Sequence, residues 1–305
     1  MSEGYVLAIG TSGIDTKGRA LAPLTPGTSN PGKIKSNSGG VARNIAENLV
    51  RLGQDVIFLS AIGNDRSGNR IKNRLEDAGV DTSNFLVSDR HRTAAYLALF
   101  DENKSLLYSI DDMSVVETIT PQIIYRNRGL IFDADMVVLD SNLSAHSISS
   151  VIKQAGSKNI PVVADPTSTG LAKKLIPHLP NLYMVTPNAA EAEVLSGLGI
   201  KNRRQAIKAA QKMVVRGVDI VVITLAENGV VYATDDTSGH IPALTTNVVD
   251  LTGASDALTA AIIFGLLNDF PIDEAARLGA SAAALTLQSE DSVAENLNLD
   301  QLYEL

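Results

Sequence analysis

The chain has 305 residues, 45% hydrophobic and 20% charged, with 23 glycines and 11 prolines, which excludes disorder, collagen-like repeats and a charged coiled coil. A chain this long buries roughly 75% of its unfolded surface without staples, and with no cysteine it has no disulfides, thiol nucleophiles or thiolate metal sites. Lys and Arg number 26 against 34 Asp and Glu, a net charge of −8, so a general nucleic-acid coat is disfavoured while a local anion site is not.

The first apolar block, Tyr5–Gly10, is too short for a signal peptide and lacks a basic flank. No apolar run approaches the roughly 20 residues of a membrane span, so a soluble, cytoplasmic protein is expected. Short β-rich blocks follow at Val56–Ser60, Met136–Asp140, Ile160–Asp165, Leu182–Val185 and Asp219–Leu225. Most are continuous rather than alternating, as in parallel strands buried on both faces. Between them lie helical patterns at Val41–Leu52, Gly68–Ala78, Ala145–Gln154, Ala189–Leu195, Asn202–Arg216 and Ala257–Leu267. Strands alternating with helices imply an α/β sandwich with a mostly parallel central sheet, covered on both faces.

Two segments break this rhythm. Residues 15–38 are polar and rich in Gly, Pro, Ser and Thr, with almost no period, and 93–110 reads as a hairpin turning at Asp101–Lys104. A lone hairpin is marginal in water. A small β-flap over the ligand edge of the sheet, drawn from about 15–38 and 91–113, accounts for both; a plain surface excursion is the alternative. No repeat or linker divides the chain, so one domain spanning 1–305 is expected.

Gly27–Lys33 fits the spacing G-x-x-x-x-G-K, yet Ile34 stands where a magnesium-binding hydroxyl belongs and no helix pattern begins at Lys33. That match is rejected, and no G-x-G-x-x-G follows a strand. A stronger signal is Asp250-Leu251-Thr252-Gly253-Ala254-Ser255-Asp256, a polar turn feeding an apolar helix. First-turn N–H groups can hold a phosphate, and Asp256 beside them could accept a proton from an attacking hydroxyl; a dipole or capping Asp is the commoner meaning. In Ser38-Gly39-Gly40-Val41-Ala42-Arg43-Asn44, paired glycines admit a ligand to the backbone and Asn44 lies one turn in. Thr186-Pro187-Asn188-Ala189-Ala190-Glu191 follows a strand; Asn188 and Glu191 could orient a hydrated Mg²⁺ or form a capping pair. Asp15, Asp165, Asn188 and Thr224 all fall at strand ends, where open α/β sheets bind ligands. The four histidines are scattered without metal spacing.

In this order the blocks resemble the ribokinase-like family of sugar and nucleoside kinases, across nearly the whole chain. Gly39-Gly40 with Asn44 is similar to its sugar-site signature, Thr186–Glu191 to its T-P-N-x-x-E block, and Leu251–Asp256 to its T-G-A-G-D signature. Within the family, Thr28–Lys35 followed by Gly39–Ala46 most resembles the branch that acts on pseudouridine, with Asp165-Pro166 and Asp111-Asp112-Met113 in agreement. The resemblance implies a three-layer sandwich with a β-lid and transfer of the γ-phosphoryl of ATP to the 5′-hydroxyl of a nucleoside's ribose. Asp256 would be the base and the backbone of Gly253, Ala254 and Ser255 the anion hole. Asp15, Ser29, Asn30, Gly39, Gly40, Asn44 and Asp165 would hold the acceptor; Asn188, Thr224, Ala226, Gly229 and Gly253 the nucleotide; and Asn188 and Glu191 the Mg²⁺. A monovalent cation such as K⁺ is a further candidate, and a homodimer through the lid the expected assembly.

Several positions depart from the family pattern: Gly13 where an Asn is usual, Ala226-Glu227 and Ser255 where glycines are usual, and Ala261 and Ser281 in the C-terminal helices. They leave open a nucleoside-binding protein of the same fold with weakened or lost transfer, or a kinase of another nucleoside or pentose.

Overall fold

The computed structural model describes residues 4–305. β1 (Val6–Thr11) is buried along its whole length and runs directly into β2 (Gly13–Ala20), which pairs with β3 (Gly32–Gly39). Then come α1 (Val41–Arg51), β4 (Val56–Gly63), α2 (Arg66–Ala78), β5 (Leu86–Ser88), β6 (Ala94–Phe100) and β7 (Leu106–Asp112). The short helices α3 (Pro121–Arg126) and α4 (Arg128–Phe132) lead to β8 (Met136–Asp140), α5 (Ala145–Gly156), β9 (Val162–Asp165), α6 (Thr169–Ala172) and β10 (Met184–Val185). The chain continues through α7 (Ala189–Ser196), α8 (Arg203–Val215), β11 (Ile220–Thr224), β12 (Val230–Ala233) and β13 (Ser238–Ile241). It closes with α9 (Ala254–Leu267), α10 (Ile272–Leu287) and α11 (Leu299–Tyr303).

Nine strands form one sheet in the order β13-β12-β11-β10-β9-β8-β1-β4-β5, parallel from β11 to β5 and antiparallel at β12 and β13. Both faces are packed. One apolar cluster joins Leu7, Ile9 and Val137 to α5 and α8; another joins Val6, Ala8 and Val138 to α1, α2 and α9. Alternate residues of one strand thus feed opposite cores, which is why β1 and β8 read as unbroken apolar runs. This is the α/β sandwich expected. Among the described residues no helix is long and apolar enough to cross a membrane.

The aperiodic stretch 15–38 contains two eight-residue strands, β2 and β3, joined by the long turn 21–31. With β6 and β7 they make a second sheet in the order β3-β2-β6-β7. Its faces invert the usual pattern. Asp15, Lys17, Lys35 and Asn37 share the face turned to the body, while Ile34, Leu97, Tyr108 and Ile110 share the outer face and are 49–79% exposed. The inward positions of β2 and β3 are polar, so the period-two signal is absent from them; the apolar residues of the inner face, Tyr96, Ala98 and Phe100, come from β6. The pattern also gave no warning of α10: its alanines are buried almost all round, leaving no polar stripe.

Asp140 fastens the end of β8 to the site side of the sheet. Fully buried, it accepts N–H bonds from Thr11 at 2.7 Å, Ala42 at 3.2 Å and Asn142 at 3.0 Å. Removal of that carboxylate orphans three buried donors, and Asp140→Ala is expected to lose about 3 kcal/mol of stability, read as a lower urea midpoint.

Candidate active site

Two helices start from glycines that no other residue can replace. Gly40, ahead of α1, has φ +104°, and an added Cβ would overlap the Thr11 carbonyl; Gly253, ahead of α9, has φ +83°, and a Cβ there would overlap the Ser292 carbonyl. Left-handed backbone and close approach together demand glycine. No side chain caps α9, so its first-turn N–H groups remain available to an anion. The expected start of this helix at Ala257 is corrected to Ala254: Gly253 reverses the chain, so Ala254, Ser255 and Asp256 are themselves the first turn.

Asp256 is buried in that turn and accepts a 2.6 Å hydrogen bond from Asn44 Nδ2. Asn44 is oriented in turn by Arg43, whose Nη1 donates to Asn44 Oδ1 at 2.7 Å. An amide held through its oxygen can only present its NH₂ to the carboxylate. Burial pushes Asp256 up to about 7; Asp15 and Asp140 add to the rise, while the Asn44 hydrogen bond and the Arg43 charge oppose it. Asp165, at the end of β9, is raised well above the usual carboxylate range by burial and by the charges of Asp256 and Glu191. Two hydroxyls lead to Asp165: Thr259, one turn past Asp256, donates to Thr186 at 3.1 Å, and Thr186 lies 3.5 Å from Asp165 Oδ2.

Asp15 reaches the same region from β2. Its carboxylate lies against the Cα of Gly39, where any Cβ would overlap it, and burial raises its pKa against the pull of Lys17 and Arg43. The crevice beneath the second sheet is lined by Asp15, Lys17, Asn37, Asp250, Thr252 and Ser292. Asp15, Gly39, Gly40, Asn44 and the Gly253–Asp256 turn therefore converge, with Asp165 behind Asp256. Ser29 and Asn30 do not join them. They occupy the turn beyond Ala20 and Gly32, five residue pairs or about 17 Å along the hairpin from Asp15. The Asn30 side chain is spent on its own loop, accepting from Thr25 N and donating to the Thr25 and Thr28 carbonyls.

On the other side of Asp165, Asn188 bridges to Thr224, and Thr224 N donates to the Pro187 carbonyl at 3.0 Å. Asn188 and Glu191 form a complete capping box at the start of α7, at 3.0 and 2.9 Å. Asn188 Oδ1 and Glu191 Oε2 are thereby occupied. Among the described residues no three His, Asp or Glu side chains gather into a metal cluster. These residues do not form a preformed metal centre; a hydrated Mg²⁺ arriving with phosphates would find only Glu191 Oε1 outside the capping box. Asp250, the one carboxylate of the loop leading into Gly253, is taken by the Lys17 ammonium, so it is not free for a K⁺ ion.

The departures from the family pattern have local reasons. Gly13 pairs with Ala94, whose carbonyl oxygen lies 2.6 Å from where a Cβ would stand, so an Asn does not fit here. Ser255 sits in the helix without a positive φ, so the serine carries no backbone strain: Gly253 makes the left-handed turn. Ala226 does adopt a left-handed φ of +49°, a conformation that costs an L-residue about 1–2 kcal/mol.

The chain's charge pattern concealed Arg43, Glu47 and Ser292. Arg43 and Glu47 are wholly buried and paired one turn apart; Glu47 also binds Arg51 at 3.0 Å and Arg74 at 3.3 Å, and Arg74 reaches Asp291 at 3.3 Å. Ser292 Oγ lies 3.0 Å from the Ser38 carbonyl and 3.1 Å from Asn44 Oδ1. The opposite charges at i and i+4 after Gly39-Gly40 were the available signal, but such pairs usually face water. Glu47→Ala strands the Arg43 charge in the interior and is expected to cost about 3–5 kcal/mol, read by urea unfolding.

The profile of the pfkB family of carbohydrate kinases matches residues 4–297. The chain is 32% identical to pseudouridine kinase of Escherichia coli K12, covering 94% of this chain and 91% of that protein. It is 30% identical to guanosine-inosine kinase of Exiguobacterium acetylicum, covering 94% and 95%. The structure of Arabidopsis thaliana ribokinase complexed with ribose and ATP superposes with a TM-score of 0.85 over 100% of this chain and 98% of that one, at 21% identity. With its two glycine-led helices, its parallel sheet and a family profile running almost end to end, the chain belongs to the pfkB family of carbohydrate kinases.

Proposed function

We propose that this kinase transfers the γ-phosphoryl group of ATP to the 5′-hydroxyl of a nucleoside, with pseudouridine as the acceptor. The observation that carries the reading is Asp256: a buried carboxylate with a pKa near 7, beside the open N–H groups of α9. Its pKa matches the task, since a general base works best when it titrates near the operating pH. Asp256 removes the proton of the 5′-hydroxyl, the freed oxygen attacks the γ-phosphorus, and the bond to the bridging β-oxygen breaks to release ADP. The N–H groups of Ala254, Ser255 and Asp256 bind the charge that builds on the transferring group. Asp15, Gly40 and Asn44 hold the ribose, the strand end at Thr224 and the turn from Ala226 to Gly229 flank the nucleotide, and Mg²⁺ neutralises phosphate charge. Ser29 and Asn30 belong to this acceptor site only if the hairpin tip folds over it.

Likeness to pseudouridine kinase over almost the whole chain supports the acceptor, and the guanosine-inosine kinase likeness makes purine nucleosides the next to test. A binding protein without transfer is the alternative reading; it loses the argument from backbone strain at Ser255 and keeps those from the Ser255 Cβ and the left-handed Ala226. Asp256→Asn is expected to lower kcat by about 10²–10⁴-fold in a coupled ATP assay across a nucleoside and pentose panel. The wild-type kcat/KM should rise with pH to a plateau through an apparent pKa near 7, because protonated Asp256 cannot accept the hydroxyl's proton. Equal turnover in wild type and variant defeats the reading.

The same reading includes a homodimer through the outer face of the lid. Ile34, Leu97, Tyr108 and Ile110 make an apolar patch on a sheet already closed on its inner side, and such patches are normally covered. Light scattering is expected to give twice the chain mass, and Ile110→Asp to give the single-chain mass.

A further inference from the structure

We propose that Lys17 is a positioning residue that couples acceptor binding in the lid to the anion turn ahead of α9. This rests on the assignment of Asp15 to the acceptor and of the Gly253–Asp256 turn to the phosphoryl group. Lys17 Nζ lies 2.7 Å from each oxygen of the Asp250 carboxylate and also donates to the Thr252 hydroxyl. All three of its donors are thus spent on the loop that enters α9. Asp250 in turn accepts from Thr252 N at 2.9 Å, so the ammonium, the carboxylate and the loop backbone form one closed knot. Thr252 immediately precedes Gly253, whose left-handed backbone launches the first turn of α9.

The loop has little else to hold it. From Pro242 to Thr252 it forms no strand or helix, and its links to the body are Val249 and Asp250 N–H on the Leu287 carbonyl and the Thr246 hydroxyl on the Ala284 carbonyl. Leu251 is 75% exposed and contributes no core packing. The Lys17–Asp250 pair is three-quarters buried, at 27% and 22% side-chain exposure, so it is less screened than a surface ion pair.

The coupling follows from register. Asp15 and Lys17 are two apart on β2 and therefore on the same face, turned to the body. Lys35 and Asn37 on β3 lie on that face too, both donating to the Glu290 carbonyl, at 2.6 and 3.0 Å. A ligand that pulls on Asp15 shifts Lys17 with it, and Lys17 carries the loop that sets Gly253. Acceptor seated at Asp15 thus fixes, through Lys17 two residues along the same strand, the turn that receives the phosphoryl group.

Hydrogen exchange by mass spectrometry tests this without relying on turnover. In Lys17→Met, and independently in Asp250→Asn, amides of residues 250–256 should exchange about tenfold faster or more while those of β2 and β3 keep their protection. Saturating pseudouridine should slow the 250–256 segment in the wild type and not in Lys17→Met. In kinetics, Lys17→Met should lower kcat by about tenfold or more with the acceptor KM changed less than about threefold, and Lys17→Arg should restore most of it. Unchanged exchange at 250–256 in both variants overturns the proposal, whatever the activity. A wild type that phosphorylates no nucleoside defeats the acceptor assignment instead, and the ligand-free exchange still decides the role of Lys17.

Discussion

Everything at this site hangs on one hydrogen bond between two helices that start at glycines. Asn44, one turn into α1, donates to Asp256 in the first turn of α9 at 2.6 Å. For that contact both helices must begin where they do, and each start is enforced by backbone that excludes a side chain: Gly40 against Thr11, and Gly253 against Ser292. The two ends are then pinned to each other, because Ser292 touches both Ser38 and Asn44 while its own carbonyl abuts Gly253. The geometry leaves little room for the carboxylate to turn, and preorganisation of this kind is what makes a base effective.

The electrostatic cost of the arrangement is borne by the core. Burial raises Asp256, Asp165, Asp140 and Glu191, repulsion from neighbouring carboxylates adds to the rise at Asp256 and Asp165, and each such group favours the fold in its protonated form. Their stabilising share is complete below the ordinary carboxylate pKa and is lost as pH rises through the folded value, about 7 for Asp256. At neutral pH the cluster therefore works against folding. Two apolar clusters packed on opposite faces of the sheet offset it, as does the closed Arg43–Glu47–Arg74–Asp291 network, which sits next to the carboxylates and lends them positive charge.

How much of this the sequence disclosed depended on the kind of signal. Buried parallel strands announce themselves as apolar runs, so the body of the sheet was legible at β1, β4, β8 and β11. Gly39, Gly40 and Gly253 stood out because close backbone approach restricts residue type, whereas Asn44 and Asp256 were singled out through the family resemblance. Of the second sheet, β6 and β7 were legible as the hairpin turning at Asp101–Lys104, while β2 and β3 were not, since their inward positions are polar and line a polar crevice. Arg43 and Glu47 were hidden because α1 is wedged between the sheet and α9, so that its polar residues are buried with its apolar ones. Ser29 and Asn30 share the specific stretch 28–46 with Gly39 and Asn44, yet a hairpin of eight paired residues separates them in space.

That separation bears on how the lid works. Its inner face makes ionic and amide contacts with the body through Lys17, Lys35 and Asn37, beside Tyr96, Ala98 and Phe100 of β6, while Ile34, Leu97, Tyr108 and Ile110 point away. Polar contacts in a part-wet crevice are modest individually, typically about 0.5–1.5 kcal/mol net per hydrogen bond. An apolar inner face would close on the body whether or not a ligand were present. A polar one closes weakly alone and gains most when a hydroxyl-rich ligand completes its hydrogen bonds. The polar side chains on the inner face therefore make the affinity of the second sheet for the body depend on what lies between them.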